Sequence, residues 1–277
     1  MYLAVVCVVV LLVLLFIIYE RYEQENIKVT TYEIGTKNKN YNDLKIVQIA
    51  DLHSKCFKDN SLVNKINEIK PDVIVCTGDI IDRNSKDFEE EKKFFELIAN
   101  KYKVYYILGN HELSLKHVNV KEYLIYITKL NVEVLLNEKV SLNENIDIYG
   151  MNYYEPKKEN VQILKINELF KNIDENKVNI ALLHNPYSIE LIKKYPLDLV
   201  LSGHIHGGLI RLFNKGVFSP TGKLFPKYSG GKYIVNGINL IVSKGLGGSF
   251  YSNFRINNRA ELVVITLRKN VVKKNKK

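Results

Sequence analysis

Two imidazoles one residue apart, His204 and His206, stand in the stretch Ser202-Gly203-His204-Ile205-His206-Gly207-Gly208. Glycines on either side let the backbone turn tightly and come close to whatever the rings hold. Neutral imidazole is the commonest protein ligand for transition metals, and rings at i and i+2 in a turning segment can address neighbouring positions. Alone, the pair reads equally well as two loop histidines. The rest of the histidine inventory shifts the balance, because five of the six His sit in short segments of one design.

His53 lies in Asp51-Leu52-His53, His111 in Gly109-Asn110-His111-Glu112 and His184 in His184-Asn185-Pro186. Each segment follows an apolar run that reads as a buried strand, at 44–49, 104–108, 180–183 and 197–201. A fifth run, 73–77, leads into Gly78-Asp79-Ile80-Ile81-Asp82. Asp51, His53, Asp79, Asn110, His184, His204 and His206 therefore all fall just past the C-terminal ends of predicted core strands. In open α/β sheets that edge is where ligands bind. His117 stands outside the pattern and reads as a surface residue.

The ordered set Asp-x-His, Gly-Asp-x-x-Asp, Gly-Asn-His-Glu, His-Asn-Pro and Gly-His-x-His-Gly-Gly resembles the calcineurin-like metallophosphoesterase superfamily over about 44–267. The wording of Ala50 to Ser54, of 202–210 and of Val242 to Gly247 is most similar to a bacterial subgroup of membrane-tethered phosphodiesterases. That subgroup includes enzymes that cleave the pyrophosphate of UDP-diacylglucosamine. The resemblance implies a four-layer αββα sandwich of two mixed sheets. It implies two divalent cations, one held by Asp51, His53, Asp79 and His206, the other by Asp79, Asn110, His184 and His204, with Asp79 as the bridge. It also implies that His111, next to a ligating Asn, touches the substrate phosphate and protonates the leaving group.

Hydrolysis of a phosphate ester needs a nucleophile near neutral pH and cations to absorb charge on the phosphoryl oxygens; a pair of metals supplies both through a shared, bridging hydroxide. Nitrogen and oxygen ligands without thiolate suit manganese, iron, zinc or magnesium, and manganese is favoured. Glu112 and Asp82 are candidates to orient ligands, with solvent salt bridges as the equal alternative. Arg255 matches a family arginine near the site. The Pro-Pro that usually follows is Arg259-Ala260 here, which alters the last loop.

These residues need a scaffold, and 277 residues suffice for one large α/β domain. Residues 2–19 form an unbroken apolar run without a charge. As a helix it extends about 26 Å, close to the roughly 30 Å of a bilayer core. With no basic region before it and no small-x-small cleavage site, it reads as an uncleaved single-pass anchor in the cell membrane. The basic residues that follow, Arg21, Lys28, Lys37 and Lys39, would put the domain in the cytoplasm, whereas large domains translocate despite such charges; both sides stay open. The expected division is 1–19 anchor, 20–43 linker and first strand, 44–267 phosphoesterase domain, and 268–277 basic tail.

Strand and helix alternate after Ile27, with helices expected near 59–70, 87–100 and 120–130, then near 161–170 and 187–194. In the second of these, Phe88, Phe94, Phe95, Leu97 and Ile98 are expected to face inward. The end of the chain reads as β hairpins at 233–235, 239–242 and 262–267. Three cysteines give no disulfide framework; Cys7 falls in the anchor, Cys76 in a core strand, and Cys56 reads as a bystander to the metals.

The tail at 268–277 carries six positive charges and no negative one, more than half of the net +10. It reads as a solvated tail or as a contact for anionic lipid headgroups. Basic charge gathered there, without interleaved aromatics, argues against a nucleic-acid partner. The loop 211–232, with Lys215, Lys223, Lys227 and Lys232, reads either as solvated or as recognising a second anionic group. The expected function is a membrane-anchored two-metal phosphohydrolase acting on a phosphodiester or pyrophosphate, lipid-linked substrates included. The alternative is a non-catalytic, metal-stabilised envelope-binding protein.

Overall fold

The structure, a computed structural model, describes residues 2–36, 43–154, 159–220, 222–248 and 255–269. Lys37, Lys39 and residues 270–277 of the basic tail lie outside the described residues.

The first helix, α1 (Tyr2–Glu25), continues past the apolar run. It satisfies its own backbone hydrogen bonds, exposes apolar side chains on every side, and is long and apolar enough to cross a membrane. Two six-stranded mixed sheets follow, facing each other. The first contains β1 (Lys28–Thr36), β2 (Leu44–Ile49), β3 (Val73–Cys76), β4 (Lys103–Tyr106) and β5 (Val132–Val134). Between its strands run α2 (Ser61–Ile69), α3 (Glu89–Ala99) and α4 (Val120–Lys129). The second sheet contains β6 (Glu138–Asn143), β7 (Ile146–Met151), β8 (Val178–Leu183) and β9 (Leu199–Ser202), with α5 (Glu159–Leu169) and α6 (Ile189–Ile192) outside. A small ribbon, β10 (Ile210–Leu212) and β11 (Lys215–Phe218), precedes the hairpin β12 (Gly231–Val235) and β13 (Ile238–Val242) and the last strand, β14 (Glu261–Lys269).

Local chemistry accounts for several boundaries. Asn119 accepts from the Lys121 N–H and caps α4, three glutamates in the first turn of α3 complement its dipole, and Lys70 ends α2 in a left-handed conformation just before Pro71.

The strand orders are β1-β14-β2-β3-β4-β5 and β12-β13-β9-β8-β7-β6. Three apolar clusters make the expected four layers. Ile46, Val75 and Tyr105 of the first sheet meet Ile148, Leu182 and Leu201 of the second; Phe95, Ile98 and Tyr123 seat the first helices, and Ile166, Ile189 and Ile192 the second group.

Four expectations need correction. Residues 262–267 are not part of a hairpin in the second sheet, because β14 crosses to the first sheet and lies parallel to β1 and antiparallel to β2. Leu97 is 41% exposed, because the inward stripe of α3 runs through Glu91, Phe95 and Ile98. The helix near 187–194 shrinks to a 3-10 turn at Pro186–Ser188 and the four residues of α6. The region 211–232 also holds more order than a loop, since it contains β10, β11 and the start of β12.

Leu182, fully buried between the sheets, is expected to cost about 2–5 kcal/mol on truncation to Ala, read as a lower denaturant midpoint. Leu97→Ala is expected to stay within about 0.5 kcal/mol. Equal losses would contradict the layer assignment.

Candidate metal centre

In the first sheet β2, β3 and β4 run parallel, and in the second β8 and β9 do. Each of the five ends in a short turn at one edge, and those turns carry Asp51 and His53, Asp79, Asn110 and His111, His184, and His204 and His206. The two edges are tied together. Gln48 Nε2 donates to Thr77 Oγ1 at 3.0 Å and to the Ser202 carbonyl at 2.9 Å, and the His204 N–H donates to both Asp51 oxygens at 2.9 and 3.0 Å. Eight candidates from distant parts of the chain thus share one small volume.

Their backbone is unusual. Asp51, His53, Asp79, His204 and His206 have φ of 50°, 51°, 53°, 73° and 52°. Non-glycine residues avoid this left-handed region, at about 1–3 kcal/mol each, and such residues gather where the surroundings enforce a functional geometry. Gly78, at φ 89°, cannot be replaced cheaply, since a Cβ there would stand 2.7 Å from Gly109 Cα and from His184 Nδ1.

The donor atoms converge lone pair to lone pair. His184 Nδ1 lies 2.9 Å from the Thr77 carbonyl, which puts a proton on Nδ1 and aims Nε2 inward. Around that Nε2 stand Asn110 Oδ1 at 2.9 Å, His204 Nδ1 at 3.1 Å and Asp79 Oδ2 at 3.2 Å. One proton can serve a single contact in such a group, whereas a divalent cation serves all four. On the other side of Asp79, His53 Nε2 lies 3.2 Å from His206 Nε2 and 3.9 Å from Asp79 Oδ2, and His206 Nε2 lies 3.9 Å from Asp51 Oδ1. Donors bound at about 2.0–2.2 Å to one ion stand roughly 3–4 Å apart, so both groups have the spacing a cation requires. Asp51, His53 and His206 form one possible ligand group, and Asp79, His184 and His204 another.

Charge is arranged to match. Burial works to raise the Asp79 carboxyl, yet the rings of His184, His53 and His111 hold it well below the usual carboxylate range. Burial depresses His204, to about 3, with His184 adding to the effect. Burial also takes His206 well below its ordinary value, and neighbouring His53 and Arg255 push the same way. Burial opposes charge on His184 too, but Asp79 and Asp51 hold it up at about 9. An anionic Asp79 with uncharged His204 and His206 is the state that accepts metal, and a cation would displace the His184 proton.

His111 differs from the others. Its Nδ1 lies 3.1 Å from Asp82 Oδ2 and 3.2 Å from the Arg83 N–H. Asp82 offers that nitrogen a charged acceptor and the Arg83 N–H offers it a donor, so both fix the ring's orientation. Its Nε2 faces the centre, 4.0 Å from Asp79 Oδ2, and its ring stands edge-on to His53 with centroids 4.3 Å apart.

Glu112 and Asp82 make no mere solvent salt bridges. Buried Glu112 accepts from the N–H groups of Asp79 at 2.9 Å, Ile80 at 2.7 Å and Gly109 at 2.9 Å, and from Tyr106 Oη at 2.5 Å. One carboxylate therefore fixes two of the site's turns. Arg255 is buried, with Nη2 3.4 Å from His206 Nδ1 and Nη1 donating to Gly245 O at 3.2 Å. Arg211 is buried under the Gly-His-x-His turn, donating to Gly207 O at 2.5 Å. Cys56 points away, its Sγ 2.9 Å from Glu90 Oε2, and His117 is exposed.

Sequence reasoning missed three supports. Gln48 joins the two sheets, and Asn258 Nδ2 donates to His206 O at 2.6 Å and to Gly208 O at 2.7 Å. Tyr153 sets its ring against His184 and His204, with centroids 5.8 and 5.6 Å away. Only Gln48 carried a signal, as a polar residue inside an apolar strand.

Replacing Glu112 by Ala orphans three buried N–H groups, each costing about 1–3 kcal/mol, so a loss of at least roughly 3 kcal/mol is expected in chemical denaturation. A loss under about 1 kcal/mol would mean that these turns hold themselves.

The calcineurin-like phosphoesterase family model matches residues 44–208, well over half of the chain. An uncharacterized metallophosphoesterase of Aquifex aeolicus is 29% identical over 90% of this chain and 95% of its own length. One of Campylobacter jejuni is 31% identical, over 82% of this chain and 59% of that protein, and one of Helicobacter pylori 32%, over 83% and 60%. The chain thus spans about 60% of the length of the latter two. Among solved structures, that of TT1561 of Thermus thermophilus is similar, at 13% identity over 74% of this chain and 91% of that one, with a TM-score of 0.49. Five ordered motifs, their convergence on one edge and the span of the family match lead to one conclusion: the chain belongs to the calcineurin-like phosphoesterase family and is a metal-dependent phosphoesterase.

Proposed function

We propose that this chain is a membrane-anchored, two-metal phosphohydrolase that cleaves phosphodiester or pyrophosphate bonds, lipid-linked ones included. The observation that carries the reading is Asp79 Oδ2, which stands between two groups of inward-facing donors. Asp51, His53, Asp79 and His206 would hold one cation, and Asp79, Asn110, His184 and His204 the other. Bound there, two divalent cations, manganese favoured for this nitrogen and oxygen set, supply a nucleophile near neutral pH and absorb charge on the phosphoryl oxygens.

The chain's own groups do the rest. Asp82 and the Arg83 N–H fix the His111 ring through Nδ1, so that Nε2 faces the centre and can deliver a proton toward the leaving oxygen. Arg255 and Asn258 fix the turn that bears His206 from behind. The non-catalytic alternative is not favoured, because the relatives are named metallophosphoesterases.

Topology supports the membrane part of the reading. The start of β1 pairs beside Glu261 at the start of β14, and β14 lies antiparallel to β2, so β1 begins at the edge where β2 ends. That edge carries Asp51 and His53. Lys55 Nζ donates to the Gln24 carbonyl at 2.6 Å, and Arg259 Nε to the Asn26 carbonyl at 3.1 Å. From Glu20, the first charge after the apolar run, α1 continues to Glu25, about 9 Å of helix. A bilayer around α1 would therefore face the metal edge at headgroup height.

Purified wild-type protein is expected to bind about two equivalents of manganese and His184→Ala about one, measured by elemental analysis after dialysis. Two equivalents in both would remove His184 from the ligand set. With manganese the protein is expected to hydrolyse bis-p-nitrophenyl phosphate, p-nitrophenyl phosphate or UDP-sugars, and to stop on chelation; if all three stay intact, the reading fails. His111→Asn should slow a poor leaving group by about 10²–10⁴-fold and p-nitrophenolate, which needs no proton, far less. Equal slowing would assign His111 another role.

A further inference from the structure

The β10–β11 ribbon exposes what most proteins bury. Leu212, Phe213, Leu224 and Phe225 are 55, 89, 67 and 71% exposed, and Phe218 is 38% exposed. Exposed apolar residues are ordinary when scattered, but a contiguous cluster marks a surface that something covers.

The cluster is held rigidly. Leu212 pairs with Lys215, Phe218 bridges to Leu224, and the Phe225 N–H donates to Val217 O at 2.8 Å. The reversal at Phe213 and Asn214 has φ of 46° and 64°, the two positive values of a tight hairpin turn, where Asn-Gly is the comfortable sequence. A phenylalanine thus occupies a strained position at the tip without packing against the protein. Backbone strain of this kind persists where surroundings enforce a use for it.

Its place in the fold suggests what covers it. The Arg211 N–H donates to Ile256 O at 3.0 Å, and the Ile256 N–H to Leu209 O at 2.9 Å. The next residue, Asn257, donates its N–H to Glu20 Oε1 at 3.4 Å. The base of the ribbon is therefore two residues, by hydrogen bond and chain, from the point where the apolar face of α1 ends. Charge agrees: from 199 to 260 the sequence contains no Asp or Glu, and Lys215, Lys223 and Lys232 of that stretch are exposed. Exposed Lys215 follows the apolar tip, and exposed Lys223 precedes Leu224 and Phe225. Aromatic and aliphatic groups beside lysines are the composition of a surface that enters the headgroup layer of an anionic bilayer.

We propose that the β10–β11 ribbon, with Leu224 and Phe225 beside it, is a second membrane contact seated in anionic headgroups next to α1. The proposal rests on the reading of α1 as a membrane span. A single helix tethers a domain but leaves it free to swivel about the helix axis. A second, off-axis contact fixes the orientation of the metal edge against the bilayer.

The chain has no tryptophan, so one introduced Trp reports alone. Full-length Phe213→Trp, Leu11→Trp in α1 and Leu164→Trp on the outer face of α5 are each reconstituted into phosphatidylglycerol-containing vesicles, with and without brominated acyl chains. Phosphodiesterase activity of each variant certifies its fold, and Phe225→Trp reports the same surface if Phe213→Trp fails that check. Insertion of about 5–10 Å predicts blue-shifted emission and roughly twofold or greater quenching for Phe213→Trp and Leu11→Trp, and neither for Leu164→Trp. Quenching of Leu11→Trp while Phe213→Trp behaves like Leu164→Trp overturns the ribbon contact and leaves the anchor standing. Absence of quenching in all three overturns both. A blue shift that follows protein concentration and ignores bromine identifies a protein-binding surface and likewise overturns the proposal.

Discussion

The carboxylate of Asp79 is the constraint on which the site depends. Its Oδ1 is held by the His111 N–H at 2.7 Å, and its Oδ2 faces inward donors from both sheets. Lone pairs brought this close repel, and only positive charge makes the arrangement favourable. The protein supports it with geometry that resists relaxation. The left-handed turns at Asp51, His53, Asp79, His204 and His206 together cost several kcal/mol at about 1–3 each, and the neighbouring hydrogen bonds hold them in place. Glu112 is the chief of these supports. Accepting backbone N–H groups from both, it locks the Asp79 turn to the Gly109 turn.

Both sheets contribute, because neither edge alone carries all the candidate donors. The first sheet supplies the carboxylates with His53 and Asn110, and the second supplies His184, His204 and His206. Packing between the sheets sets how far apart these halves stand, and Gln48 adds direct bonds across the gap. The buried layer of Ile46, Val75, Leu182 and Leu201 is therefore part of the site's geometry as well as of stability. A close-packed interior transmits small displacements, so a void between the sheets would move ligands as well as lower the free energy of folding.

Much of this was legible in the sequence, for physical reasons. Buried parallel strands read as unbroken apolar runs, and a polar residue just past such a run has few uses other than a site. That made Asp51, Asp79 and the five histidines visible as one group. The supports were less legible. Asn258 and Tyr153 lie in irregular segments where neither period applies, and their roles exist only once distant turns have met. Glu112 could be named but not assigned, because an acidic residue after a histidine looks the same whether it faces water or caps three amides. Leu97 was misplaced because successive helical residues point about 100° apart, the buried stripe of α3 is centred on Phe95, Ile98 and Ala99, and local pattern does not fix where that stripe is centred.

The strand β14 shows why topology, rather than pattern, decides the larger questions. Its apolar run reads as a hairpin partner of the strands before it, since consecutive strands usually pair. Instead it leaves the second sheet and inserts between β1 and β2. That insertion adds Val263, Ile265 and Leu267, all fully buried, to the face of the first sheet that packs on the second, an apolar burial that an exposed edge of the second sheet would not offer. It also reverses the direction of β1 relative to β2, and so brings the end of α1 to the edge that carries the candidate ligands. Had β1 paired with β2 in parallel, α1 would leave the domain from the opposite edge, with the sheet's full height between any bilayer and the site. The burial of one strand thus sets both the closure of the core and the side of the protein on which its chemistry faces.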